Sequence, residues 1–239
     1  MSVLFNAEGG VATLTLNRPG SRNALNLEMC ERLSEIADRC ASHPDIKLVF
    51  VRANGPAFCA GADLKERAGM NEAQVRERRM KGFAAYAALE ALPMPAIAVV
   101  AGPAVGSGCE IAGACDFIVA TPAASFRTPE AARGTVGATQ RLPRILGKRL
   151  AKDLMFTGRA LSAEEAREAG LVSRLVPASG LEEVLAGIKN EILKAPSGSL
   201  RLAKRCIDRG VELDPAGALQ TEIAAIEEQL AGGSWMGRK

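Results

Sequence analysis

The whole chain contains a single histidine, His43, in the loop-like run Ser-His-Pro-Asp. An imidazole base is therefore not expected, which argues against Ser-His and Cys-His hydrolases, and His43 reads as a surface turn residue. The six cysteines, at 30, 40, 59, 109, 115 and 206, include no Cys-x-x-Cys pair. No zinc site is expected from them, and the thiols read as reduced and packed, as in a cytoplasm. An excess of one charge is also lacking. Thirty basic against 27 acidic residues leave +3, too little to make nucleic acid or an anionic membrane the main partner. The start, Met-Ser-Val-Leu-Phe-Asn, has neither the basic residues nor the apolar core of a signal peptide, and Pro93 and Pro95 cut the apolar segment near 91–101. The expectation is a cytoplasmic protein without an export signal or a membrane span.

At 239 residues the chain can bury a substantial core without metal or disulfide staples, and 48% hydrophobic with 24% charged residues is ordinary for a globular protein. Its most informative stretch is Val99 to Asp116. The apolar run Ala96 to Ala101 has the length of a buried strand, Gly102, Gly106 and Gly108 supply a tight turn, and Cys109 to Cys115 can start a helix. Glu110 then falls in the first helical turn, where free N–H groups and the helix dipole can hold an anion or the oxygen of a polarised carbonyl. Packing alone could also demand small residues at such a strand-to-helix turn.

Around this stretch the pattern is α/β. Residues 2–17 read as a hairpin turned at Gly9-Gly10. Asn26 reads as the N-cap of a helix with one apolar face (Met29, Cys30, Leu33, Ile36, Ala37, Cys40), and Leu48 to Val51 as a buried strand, which together make a parallel βαβ unit. After a small-residue loop, Asn54 to Asp63, Asn71 and Gln74 form a capping box for a helix reaching about Leu92. Five basic residues between Arg67 and Lys81 read as its solvated face rather than as an RNA-binding surface. Phe117 to Ala120 reads as a strand. Thr128, Pro129 and Glu130 read as N-cap, N1 and N2 of another helix, which places a second glutamate at a helix start. Ser162 with Glu165 caps a short helix ended by Gly170, and Leu171 to Val176 reads as a last strand. Two helices follow, Pro196 to Arg209 and Asp214 to Leu230. The second carries Leu219, Ile223, Ile226 and Leu230 on one face, a stripe that calls for another subunit.

Taken together, these motifs resemble the crotonase, or enoyl-CoA hydratase/isomerase, superfamily from about Val11 to Leu230. The resemblance is carried by Leu16-Asn17-Arg18-Pro19 with Asn23-Ala24-Leu25, by Phe58-Cys59-Ala60-Gly61-Ala62-Asp63, by Gly106-Ser107-Gly108-Cys109-Glu110, by Pro129-Glu130, by Thr139-Gln140-Arg141-Leu142, and by Ala166 to Val172. It implies a crotonase (ClpP-like) fold of ββα units, with residues 1–180 as the acyl-CoA-binding core and 181–239 as a helical C-terminal trimerisation region. It further implies a homo-oligomer (trimer or dimer of trimers), an acyl-CoA thioester as partner, coenzyme A only as part of the substrate, no other cofactor and no metal.

By the same resemblance, Glu110 and Glu130 are the catalytic pair, and the backbone N–H groups of Ala62 and Ser107 form the oxyanion hole. Substrate or CoA contacts fall on Arg22, Ala24, Ala60, Ala62, Asp63, Leu64, Lys65 and Gly106. The implied activity is syn hydration of a 2-enoyl-CoA. Isomerisation or other thioester-enolate chemistry is the alternative within the superfamily, and a catalytically silent CoA- or RNA-binding protein the alternative outside it. Asp63-Leu64-Lys65-Glu66-Arg67-Ala68 is also similar to the methylglutaconyl-CoA hydratase branch, some members of which bind AU-rich RNA through lysines on this helix, although Gly69 stands where a further lysine is expected. Two departures bear on the site. The loop Gly134 to Thr139 is shorter than in relatives, which is expected to displace Glu130, and Gly-Gly-Ser-Trp-Met-Gly-Arg-Lys replaces a closing helix, which is expected to open the pocket.

Overall fold

The computed structural model describes residues 1–232. Strands β1 (Val3–Glu8) and β2 (Val11–Leu16) form the expected antiparallel hairpin. Its turn uses Gly9 and Gly10 at φ 57° and 82°, left-handed values that glycine adopts without steric cost. Asn26 caps α1 (Leu27–Ser42) by accepting from the Met29 N–H, and the predicted apolar face is buried. The helix returns the chain to β3 (Leu48–Ala53), which pairs in parallel with β2 and so closes the βαβ unit.

A short helix α2 (Leu64–Arg67) and the long α3 (Glu72–Glu90) follow, the latter with both halves of the Asn71/Gln74 capping box formed. Next come β4 (Ala96–Val100), β5 (Pro103–Val105), α4 (Ser107–Gly113), β6 (Phe117–Ala120) and β7 (Ser125–Arg127). The remainder comprises α5 (Arg141–Thr157), β8 (Ala160–Ser162), α6 (Ala163–Glu168), β9 (Arg174–Leu175), α7 (Leu181–Lys194), α8 (Ser197–Gly210) and α9 (Pro215–Ala231).

One sheet has the order β1-β2-β3-β4-β6-β9 and is parallel apart from the hairpin, while β5, β7 and β8 form a second sheet. In the six-stranded sheet the inner strand β4 is buried on both faces, as parallel strands usually are. Within β3, Val49 and Val51 join the core that includes the α1 face and Tyr86 and Leu89 of α3, whereas Leu48 and Phe50 meet Leu181, Leu185 and Ile188 of α7 on the opposite side.

Several expectations change. The second sheet is not visible in the sequence, because three-residue strands carry no readable period. No helix starts at Thr128. Instead a single 3₁₀ turn, Ala131–Arg133, has Glu130 in the N-cap position and ends at Gly134, whose φ of 72° turns the chain out of the helical path. The Thr128 hydroxyl is buried with no hydrogen-bond partner among the described residues, so it caps no helix there. The last strand is only Arg174–Leu175. Helix α7 lies at the start of the helical region expected from residue 181 and covers the rear of the large sheet. The two later helices pack on each other, and Leu219, Ile223, Ile226 and Leu230 remain 38–55% exposed in the single chain. The expectation for the Gly-Ser-Trp tail lies outside the described residues.

Candidate active site

The loop after β3 is packed backbone against backbone on β5 and the start of α4. Cys59 O accepts from Val105 N–H at 2.8 Å, and Phe58 N–H donates to Pro103 O at 3.0 Å. Gly108 lies so close to the Cys59 carbonyl that a Cβ there would meet the oxygen at 2.5 Å, and a Cβ on Gly61 would lie 3.1 Å from the Val105 carbonyl. Glycine is thus required for the approach itself. On the other side, Leu25 N–H donates to Gly61 O and Asp63 N–H to Leu25 O, which leaves the Ala62 amide between them with no acceptor among the described residues. Ser107 is the first residue of α4, so its N–H has no intrahelical partner. Its φ is not in the left-handed region, which is the condition for a residue other than glycine there. These two amides border one cavity of about 340 Å³.

Glu110 and Glu130 line the same cavity, so two carboxyl groups twenty positions apart face one space that also holds two amide-bearing residues. Their environments differ. Glu110 is 7% exposed, and its Oε2 accepts from Arg141 Nη1 at 2.6 Å. Arg141 itself is held by Glu90 Oε2 at 2.5 Å and lies over the Tyr86 ring, 5.9 Å from its centroid. Glu110 Oε1 takes no hydrogen bond among the described residues. Glu130 is wedged against two glycines. A Cβ on Gly106 would overlap its Oε1, and one on Gly137 would lie 3.0 Å from its Cγ. Its Oε2 is buried with no partner among the described residues, and burial, reinforced by the charge of Glu110, raises its pKa above the ordinary glutamate value. A carboxyl whose pKa is raised by burial suits a group that has to donate a proton.

Of the remaining predicted contacts, Ala60, Leu64 and Gly106 line the cavity with Ala62, whereas Arg22, Ala24, Asp63 and Lys65 do not. Arg22, at φ 50°, supports the wall through its carbonyl, which accepts from Ala60 N–H at 3.0 Å. Ala24 O accepts from Arg18 Nη1 at 2.5 Å. Asp63 is occupied structurally. It pairs with Arg18 at 2.9 Å and caps α2, and those bonds hold its pKa below the ordinary value despite burial. Lys65 is exposed on α2 with no side-chain partner among the described residues.

The basic run on α3 is corrected in part. Arg78 is 4% exposed, is paired with Glu66 at 2.9 Å and donates to Leu25 O, so it ties the helix to the Ala62 loop. Arg79 donates to Val136 O, and Lys81 faces Glu31 at 3.4 Å. Tyr86 and Phe83 also line the cavity, their rings 6.3 Å apart edge to face, and neither they nor the pairing of Arg141 with Glu110 is legible in the sequence. Arg141 stood inside a quoted motif but offered no sign of its partner 31 positions back.

Among the described residues no group of histidine, cysteine or acidic side chains is arranged to hold a metal ion, and no helix is long and apolar enough to cross a membrane. All six cysteines are unpaired, and burial pushes the Cys59 thiol up to about 12.

The family model described as enoyl-CoA hydratase/isomerase matches residues 6–232, and the chain belongs to that family. It is 36% identical to the short-chain-enoyl-CoA hydratase of Clostridium acetobutylicum over 95% of this chain and 88% of the relative. It is also 36% identical to an enoyl-CoA isomerase/hydratase of Mycosarcoma maydis, over 92% and 85%. The crystal structure of an enoyl-CoA hydratase from Bacillus anthracis superposes with a TM-score of 0.92 at 39% identity, covering 95% of this chain and 90% of that one. The fold is the α/β crotonase fold.

Proposed function

We propose that the protein is an enoyl-CoA hydratase that adds water syn across the 2,3 double bond of an enoyl-CoA thioester. One observation carries the reading: an ion-paired glutamate and a buried glutamate whose pKa is raised border one cavity together with two amide donors that have no acceptor among the described residues.

The thioester oxygen sits on the N–H groups of Ala62 and Ser107. As water attacks the β-carbon, its proton passes to the Glu110 carboxylate, the hydroxyl bonds to carbon, and negative charge develops on the thioester oxygen. The two fixed donors stabilise that charge without reorganising, each by roughly 3 to 4 kcal/mol. Glu130, in its acid form, delivers a proton to the α-carbon and completes the addition. Arg141 keeps Glu110 in place through Oε2, leaving Oε1 for the water.

Family resemblance supports a trimer or a dimer of trimers, and the uncovered apolar stripe of α9 is the surface such an assembly would use. The test is hydration of crotonyl-CoA, followed as loss of the enoyl-thioester absorbance. Glu110→Gln and Glu130→Gln are each expected to slow turnover by about 10²- to 10⁴-fold. Full activity in either variant, or double-bond migration without hydration in 3-enoyl-CoA incubations, would overturn the assignment.

A further inference from the structure

The Gly61–Ala62 peptide is planar and trans, so the direction of the Ala62 N–H is set by what the Gly61 carbonyl does. That carbonyl accepts from Leu25 N–H at 2.7 Å, and the next peptide is fixed by Asp63 N–H, which donates to Leu25 O at 2.9 Å. Leu25 and Ala62 thereby form an isolated parallel bridge. With one edge of the strip committed to Leu25, the Ala62 N–H has to point the other way, on a residue that borders the cavity. The amide can be no better placed than Leu25 is.

Leu25 belongs to none of the strands, and two side chains from elsewhere hold it. Glu66, on α2, accepts from Leu27 N–H at 2.9 Å through Oε1, and Arg78, on α3, donates through Nη2 to Leu25 O. The two side chains are themselves paired, Arg78 Nε to Glu66 Oε2 at 2.9 Å. Leu25 O therefore takes two hydrogen bonds, one from the Ala62 strip and one from a guanidinium 53 positions later. Packing alone does not call for this pair. Arg78 is 4% exposed, and an ion pair drawn out of water returns so little net stability that apolar residues of similar volume often serve a fold as well. What apolar residues cannot do is bond a carbonyl in a fixed direction. One edge of the planar guanidinium presents Nε and Nη2 together, and here it spans Glu66 and Leu25 at once.

We propose that Arg78, paired with Glu66, is a positioning residue for the oxyanion hole: it acts through the Leu25 carbonyl to aim the Ala62 amide at the thioester oxygen. The proposal rests on the hydratase reading for the role of that amide, but its main readout needs no turnover. Butyryl-CoA, which has no double bond to hydrate, is isotopically labelled at the thioester carbonyl and bound to the full chain, and its C=O stretch is read by infrared difference spectroscopy. On the unsubstituted protein the stretch is expected below that of free butyryl-CoA, because two N–H donors polarise the carbonyl. Arg78→Lys keeps a charge opposite Glu66 but loses the fork. Arg78→Met/Glu66→Gln removes both charges, so neither partner is left buried and unpaired. Both variants should bind butyryl-CoA with the stretch moved back toward the free value. Both should hydrate crotonyl-CoA with kcat lowered by about 10- to 10²-fold and KM within about threefold of the parent. Glu130→Gln, which slows the chemistry without touching Leu25, should keep the parent's stretch. A folded double variant with the parent's stretch, or with kcat within about threefold of the parent, overturns the proposal. Loss of folding in both variants, or a fall in Tm with the stretch unchanged, assigns the pair to the fold alone and overturns it as well. Failure of the underlying reading looks different: the unsubstituted protein itself binds butyryl-CoA with no shift of the stretch.

Discussion

Replacing Gly106 by alanine separates damage to the site from damage to the fold. A Cβ at this position would overlap Glu130 Oε1 and come within 3.3 Å of Cδ. Carbon and oxygen need about 3.3 Å or more in ordinary contact, so the carboxyl must withdraw by roughly 1 Å. The obstructing atom is the end of a flexible side chain, which makes the clash cheap for the fold. For catalysis it is expensive, since a misplacement of about 1 Å can slow a reaction by 10²-fold.

Backbone strain adds a cost to stability. Gly106 sits at φ 50°, ψ −107°, and holding an L residue there costs about 1–3 kcal/mol. The expected outcome for Gly106→Ala is a folded protein with a modestly lowered Tm and a kcat for crotonyl-CoA down by about 10²-fold. Gly69→Ala, with nothing within 4 Å of its Cβ, serves as the control and should match the parent protein in both. Circular dichroism and the absorbance assay read the two effects separately. A folded Gly106→Ala enzyme with kcat within about threefold of the parent would refute the argument that Glu130 acts from its present position.

Two further outcomes follow from the pair of carboxyls. Arg141→Gln leaves Glu110, with a side chain only 8% exposed, short of its partner, and should cost about 1–3 kcal/mol in denaturant unfolding. Glu90→Gln neutralises a carboxylate that is 54% exposed and should cost less than about 1 kcal/mol, so equal losses would contradict this account of the ion pair. Glu130 has a folded-state pKa raised by burial, so its contribution to stability is complete below the unfolded carboxylate range and is lost as pH rises through the raised value. Relative to Glu130→Gln, which stays neutral, the parent protein should therefore lose stability over that window. Its hydration rate should decline on the alkaline side of the same value, and a difference between the two proteins that does not change with pH would exclude a buried acid here.

Much of this was legible because it is local. Asn26, the Asn71/Gln74 box and the Ser162/Glu165 box announce helix starts through the side chain that satisfies the first amides, and all three are formed. The Gly102 to Glu110 turn was legible for the same reason. What escaped depends on partners distant in sequence. Strands β5, β7 and β8 are too short to show alternation and exist because they pair with one another. The Thr128-Pro129-Glu130 signature is a sound helix start on local grounds, but Gly134 turns the chain away after a single turn, and the space this leaves is where Glu130 packs against Gly137. Arg141 is informative only once α5 is seen to run past α4.

The close seating of Gly108 on the Cys59 carbonyl has a mechanical meaning. The strip that presents the Ala62 amide and the helix that presents the Ser107 amide are keyed into each other like two halves of a clasp, so thermal motion of one carries the other with it. A thioester gripped by that clasp keeps its orientation whatever hangs from its far end. Variation in the acyl group has to be accommodated by the facing coil from Gly134 to Gln140, which has no strand to stiffen it.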